Sequence, residues 1–173
     1  PERADARDVL IAAGERTLSR LPDGCRIGTG SLRRGAQLKN RRPGLIVVGL
    51  RGNLDTRIAK MERGECDAVV LAAAGILRLG MQSRITHYLD VDEMLPAVGQ
   101  GALCIQARSN DADTLQALAA VDHGDTHAAV AAERAFLRRL EGNCQVPLAG
   151  LAQVADDVCR LEGLVASPNG TEV

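Results

Sequence analysis

At 173 residues, 46% of them hydrophobic, the chain can bury a sizeable core as one domain or two small ones, which excludes disorder. A formal net charge of −1 argues against a nucleic-acid partner, and the near absence of aromatics (Tyr88 and Phe136, no tryptophan) against base-stacking platforms. Five scattered cysteines, odd in number and without a C-x-x-C pair, disfavour a disulfide framework or zinc site; with no apolar leader or spanning run, a cytoplasmic chain without a membrane partner is expected.

In chain order, Pro1 to Asp8 read as a chain entered midway, with 1–7 a connector. Asp8 to Leu21 holds a short apolar run (Val9, Leu10, Ile11) read as strand or connector, then a short helix and a turn at Pro22-Asp23-Gly24. Cys25 to Thr29 reads as a strand, and Ser31 to Asn40 as a helix stopped by Arg42-Pro43-Gly44. The turn between them, Gly28-Thr29-Gly30-Ser31-Leu32-Arg33-Arg34, has the makings of an anion site. A helix starting near Ser31 leaves backbone N–H groups unpaired, Thr29 and Ser31 add hydroxyls, and Arg33 and Arg34 add planar forks that match carboxylates. Read locally, the same pattern also describes a capped surface helix with solvated arginines.

The aliphatic run Leu45 to Leu50 predicts a strand buried on both faces, followed by Arg51-Gly52-Asn53, with Asn53 capping a helix over Leu54 to Arg63. Asp67 to Ala74 predicts a third buried strand, and Ile76 to Tyr88 a helix. Three strand-then-helix units imply a parallel sheet, where ligands sit at the carboxyl ends of strands. Arg33, Arg34, Arg51, Arg57 and Arg78 all follow strand ends, so they are expected to converge on one cleft.

Leu95 to Gly101, two glycines around Gln100 after Pro96, predicts a hinge or domain crossing. Ala102 to Ala107 predicts a strand that either extends the preceding sheet or belongs to a domain not otherwise present, and Asp111 to Val121 a helix. Asp125 to Leu140 predicts a strong helix capped by Asp125 or Thr126 and stopped by Gly142. Cys144 follows on a loop. Two strands, Leu148 to Val154 and Val158 to Val165, open a small α+β domain, with a hairpin turn expected at Pro168-Asn169-Gly170 and the chain stopping on its return strand.

Several of these segments resemble, in order and spacing, the porphobilinogen deaminase (hydroxymethylbilane synthase) family. They are Gly28 to Arg34; Leu50-Arg51-Gly52-Asn53 with Thr56-Arg57; Leu71 to Gly75 with Arg78; Ala97 to Ala102; Ala132-Glu133-Arg134; and Leu140 to Pro147. The resemblance implies a monomeric transferase of tetrapyrrole synthesis that joins four porphobilinogen units and releases ammonia, working on a dipyrromethane primer held by thioether to Cys144. It implies primer binding by Thr29, Ser31, Arg33 and Arg34, and substrate or chain binding by Arg51, Arg57, Arg78 and Gln100.

The family architecture implies an α/β fold: a periplasmic-binding-protein-like parallel or mixed sheet domain, then the start of a small α+β domain. Residues 8–95 would be domain 2, 96–121 the hinge and the return segment of domain 1, and 122–173 a partial domain 3. Gly30 stands where the family usually has a second serine, and Asn143 where it usually has a glycine. The family's general acid, an aspartate in a Lys-Asp pair, has no match, so the chain alone is expected to be inactive. The alternative is a non-enzymatic carboxylate-binding module of the periplasmic-binding-protein type.

Overall fold

A computed structural model describes residues 1–14, 16–141 and 146–173. Its larger sheet has five strands: β1 (Asp8–Ala12), β2 (Arg26–Gly28), β3 (Ile46–Val48), β4 (Ala68–Ala72) and β5 (His87–Leu89), in the order β3-β2-β4-β1-β5. β2 pairs parallel with β3 and β4, while β1 runs antiparallel to β4 and β5. The three strand-then-helix units are parallel as expected, and antiparallel β1 makes the sheet as a whole mixed.

Alternation along β1 and β4 serves both faces. Leu10, Ala68 and Val70 pack with Ile27 and with Leu38 of helix α1 (Leu32–Arg41). Val9, Ile11, Val69 and Leu71 pack with Ile58 of α2 (Leu54–Glu62) and Ile76 of α3 (Ala73–Arg78).

Several expected elements change. The run Leu45 to Leu50 forms only the three-residue edge strand β3, and Ile46 on it is half exposed. The helix expected to Tyr88 stops at Arg78; after a 3₁₀ turn at Gln82–Arg84, the chain returns to the sheet as β5, whose short run carries too little alternation to announce a strand. The helix before Pro22 is a single 3₁₀ turn, Leu18–Arg20. Ala102 to Ala107 joins no strand among the described residues, and Leu103 and Ile105 are largely exposed.

Helix α4 (Ala112–Ala119) is capped by Asp111 and buries none of its residues. Helix α5 (Gly124–Arg139) is capped by His123, whose Nδ1 accepts from Thr126 N at 3.3 Å, rather than by Asp125 or Thr126.

Strands β6 (Leu148–Ala155) and β7 (Val158–Val165) form an antiparallel hairpin against α5. The Gly150 and Gly163 pair leaves room for the ring of Phe136: a Cβ at Gly163 would lie 2.5 Å from Phe136 Cζ. The hairpin turn is Asp156-Asp157, both at positive φ (51° and 60°), as a two-residue primed turn requires, and not Pro168 to Gly170. The latter segment instead lies against α1, where Asn40 Nδ2 donates to Gly170 O at 3.1 Å.

Candidate functional site

The four co-directional strands end on one edge of the sheet, and antiparallel β1 begins there. Asp8 is level with Ala72 at the end of β4 and with Leu89 at the end of β5. Helices α1, α2 and α3 all start at this edge. Ser31 caps α1, its Oγ accepting from Arg34 N at 3.4 Å, and Asn53 caps α2, its Oδ1 accepting from Thr56 N at 2.9 Å.

The helices lie on different faces of the sheet, yet their leading turns touch. A Cβ at Gly30 would lie 2.8 Å from Leu50 O, and one at Gly75 2.8 Å from Leu54 Cδ1. These contacts set the segments that lead into α1 and α2, and the start of α3, against one another, whereas Arg78 stands at the far end of α3.

Arg33 and Arg34 depart from the expectation of open forks. Both are buried and both bind the fully buried Asp8. Arg33 Nη1 donates to Asp8 Oδ2 and to Leu95 O, each at 2.7 Å. Arg34 donates to Asp8 Oδ1 from Nε (3.0 Å) and Nη2 (2.7 Å), and from Nη1 to Val70 O (3.3 Å).

Gln100, expected to meet substrate, joins the same cluster: its Nε2 donates to Asp8 Oδ1 at 2.9 Å and to Ala6 O at 2.6 Å. The hydroxyls are also engaged locally, with Thr29 Oγ1 accepting from Ser31 N at 3.2 Å. The sequence offered no sign of Asp8, which opens an apolar run far from the arginines in the chain.

Burial pushes the Asp8 carboxyl up, but the Arg33 and Arg34 guanidiniums outweigh this and hold it below the ordinary carboxylate range. Asp8 is therefore ionised at neutral pH and cannot act as a general acid. Two guanidiniums against one carboxylate leave the cluster a net positive charge. Among the described residues, Arg33 Nε is buried with no acceptor, and Arg33 Nη2 has only a 3.5 Å contact to Gln100 Oε1. That edge of the fork retains capacity for another anion.

Arg51, Arg57 and Arg78 have no acidic partner among the described residues; Arg57 Nε donates to Gly52 O at 2.8 Å, and Arg51 and Arg78 are exposed. This surplus of cationic donors fits an acid-rich group such as dipyrromethane, with Thr29, Ser31, Arg33 and Arg34 nearest the α1 terminus. Cys144 lies outside the described residues. Of the other cysteines, Cys25 and Cys66 are buried, and burial pushes their thiols up and away from reactivity.

Comparison with known proteins gives two family matches. The model described as "Porphobilinogen deaminase, dipyromethane cofactor binding domain" matches residues 1–116, and that described as "Porphobilinogen deaminase, C-terminal domain" matches residues 127–173. Curated relatives carry the name porphobilinogen deaminase. The protein from Syntrophotalea carbinolica is 53% identical over 170 residues, which is 98% of this chain and 54% of the relative. The one from Geobacillus kaustophilus is 53% identical over 172 residues (99% and 56%), and that from a Roseiflexus species 47% identical over 173 (100% and 57%).

The chain spans just over half the length of the curated relatives it matches. The non-enzymatic module finds no support here, since these relatives bear an enzyme's name. By sequence match and by its mixed α/β fold, the chain belongs to the porphobilinogen deaminase family.

Proposed function

We propose that this chain is part of a hydroxymethylbilane synthase, a cytoplasmic, monomeric transferase of tetrapyrrole synthesis. Four porphobilinogen units are condensed head to tail with release of ammonia, on a dipyrromethane primer linked by thioether to Cys144. The ordered match of both family models along the chain is the observation that carries this reading.

The chemistry of the carboxyl edge supports it. Pyrrole units bearing acetate and propionate make a growing polyanion, and Arg51, Arg57 and Arg78 supply guanidiniums without an acidic partner among the described residues, the first two close in sequence to the α2 N-terminus. When bound, dipyrromethane supplies the free pyrrole carbon to which the first substrate is joined. Thr29, Ser31, Arg33 and Arg34 would hold its carboxylates, and the Nε and Nη2 edge of Arg33 is the part of that fork left over for the purpose. Arg51, Arg57 and Arg78 orient the incoming substrate and the lengthening chain, and their charge stabilises carboxylates brought close together. Leaving ammonia requires a proton at the aminomethyl nitrogen; Asp8, ionised between two arginines, is not its source.

We assign residues 1–7 to a connector, 8–95 to domain 2, 96–121 to the hinge and return segment of domain 1, and 122–173 to a partial domain 3. Exposure of Leu103, Ile105, Leu115 and Val121 beside a groove of about 390 Å³ supports a covering partner for 102–121.

The test uses the full-length protein that contains this chain. Porphobilinogen is consumed with release of ammonia, an acidic aldehyde reagent for pyrroles colours the protein, and peptide mapping finds the added mass on Cys144. A folded protein that lacks this mass and leaves porphobilinogen unchanged refutes the reading.

A further inference from the structure

Asp8 is fully buried, and its two oxygens accept from three side chains that come from distant parts of the sequence: Arg33, Arg34 and Gln100. We infer that Asp8 is a positioning residue of the anion site, fixing the depth and angle of both arginine forks and tying them through Gln100 to the turn at 97–101. The inference rests on the function proposed above and adds a residue to the site it describes.

Geometry gives Asp8 this role. Antiparallel β1 starts at the carboxyl edge, so its first side chain lies where α1 starts, level with Ala72 and Leu89. Oδ2 takes Arg33 alone, and Oδ1 takes Arg34 twice, which orients the two planes separately. With Arg33 Nη1 spent on Asp8 and Leu95 O, the Nε and Nη2 edge of that fork is left over. Stability alone does not require such a cluster, because a buried ion group can often be replaced by apolar side chains without loss.

Gln100 carries the linkage onward. Its amide holds Asp8 and Ala6 O, and its backbone oxygen accepts from Arg3 Nε at 2.8 Å. The turn at Gly99 and Gly101, both at positive φ, is thereby fastened to the arginine pair.

The test measures, in the full-length protein, the fraction of molecules carrying the primer mass on Cys144. Asp8→Asn removes the charge and turns an amide N–H₂ toward guanidinium donors; the loaded fraction falls below about a tenth of wild type, the scale expected when a site is displaced by about 1 Å. Asp8→Glu keeps the charge and recovers part of the loading. Leu10→Ala, on the same strand and sheet face but with an apolar side chain that touches none of the cluster's polar groups, lowers Tm and leaves loading unchanged.

Normal loading in Asp8→Asn overturns the inference, as does loss of loading in Leu10→Ala in proportion to its loss of Tm. If Asp8→Asn does not fold, Gln100→Leu decides: reduced loading at near wild-type Tm supports the linkage, and unchanged loading overturns it. Wild-type protein without the mass refutes the proposed function itself, and the role of Asp8 with it.

Discussion

Replacing Glu133 with alanine tests how the two halves of the chain are joined. Glu133 is fully buried on α5 and accepts four hydrogen bonds: from Arg3 Nη1 (2.5 Å) and Nη2 (3.2 Å), Gly99 N (2.6 Å) and Ala152 N (2.8 Å). One carboxylate therefore fastens the N-terminal segment, the 97–101 turn and β6 to a single helix.

Glu133→Ala strands a cation and two backbone donors. Breaking a buried pair from one side costs about 3–5 kcal/mol. At this chain length each kcal/mol moves Tm by about 2–4 °C, so a drop of about 6–20 °C is expected. Arg3→Ala is milder, because Glu133 keeps its two backbone donors and Arg3 is partly exposed; a cost of about 1–3 kcal/mol is expected. Thermal and denaturant unfolding of wild type, both single variants and the double variant measure the difference and the coupling. A Glu133→Ala protein within about 2 °C of wild type, or an Arg3→Ala protein as damaged as Glu133→Ala, refutes the reasoning.

Gly170 sits at φ 74°, with a Cβ position 2.4 Å from Ala36 O, so Gly170→Ala should release the 167–172 turn from α1 and cost about 1–3 kcal/mol by denaturant unfolding. Asp8 has its carboxyl held low by Arg33 and Arg34 against the opposing effect of burial, so its contribution is present above the unfolded pKa of about 3.9 and is lost as pH falls through the lower folded value. Wild type should therefore lose more stability than Asp8→Asn between about pH 5 and 2, and parallel curves would contradict this. Arg51→Ala, Arg57→Ala and Arg78→Ala remove donors without acidic partners, so each should leave stability within about 0.5 kcal/mol while cutting bilane formation in the full-length protein; unchanged rates in all three would remove them from the site.

What the residues determined by themselves was local. Ser31 and Asn53 cap their helices through side chains three residues from their backbone partners, and the continuous apolar run Ala68 to Leu71 suits a strand buried on both faces, while the shorter Val9 to Ile11 read as strand or connector. The turns Gly28 to Arg34 and Arg51 to Asn53 are local for the same reason, since each follows its strand closely. Strand direction was not legible: β1 carries the same apolar pattern whether parallel or antiparallel, and only packing makes it antiparallel to β4.

That direction puts Asp8 at the carboxyl edge, 25 residues from Arg33 in sequence, and converts two forks expected to face ligand into a buried cluster with one edge unspent. Ala102 to Ala107 shows the converse, a strand-like sequence with no ladder to join among the described residues. Short-range hydrogen bonds and periodicity are written in neighbouring residues, whereas charge pairing and strand pairing depend on which distant segments share an edge, and that is decided only when the sheet assembles.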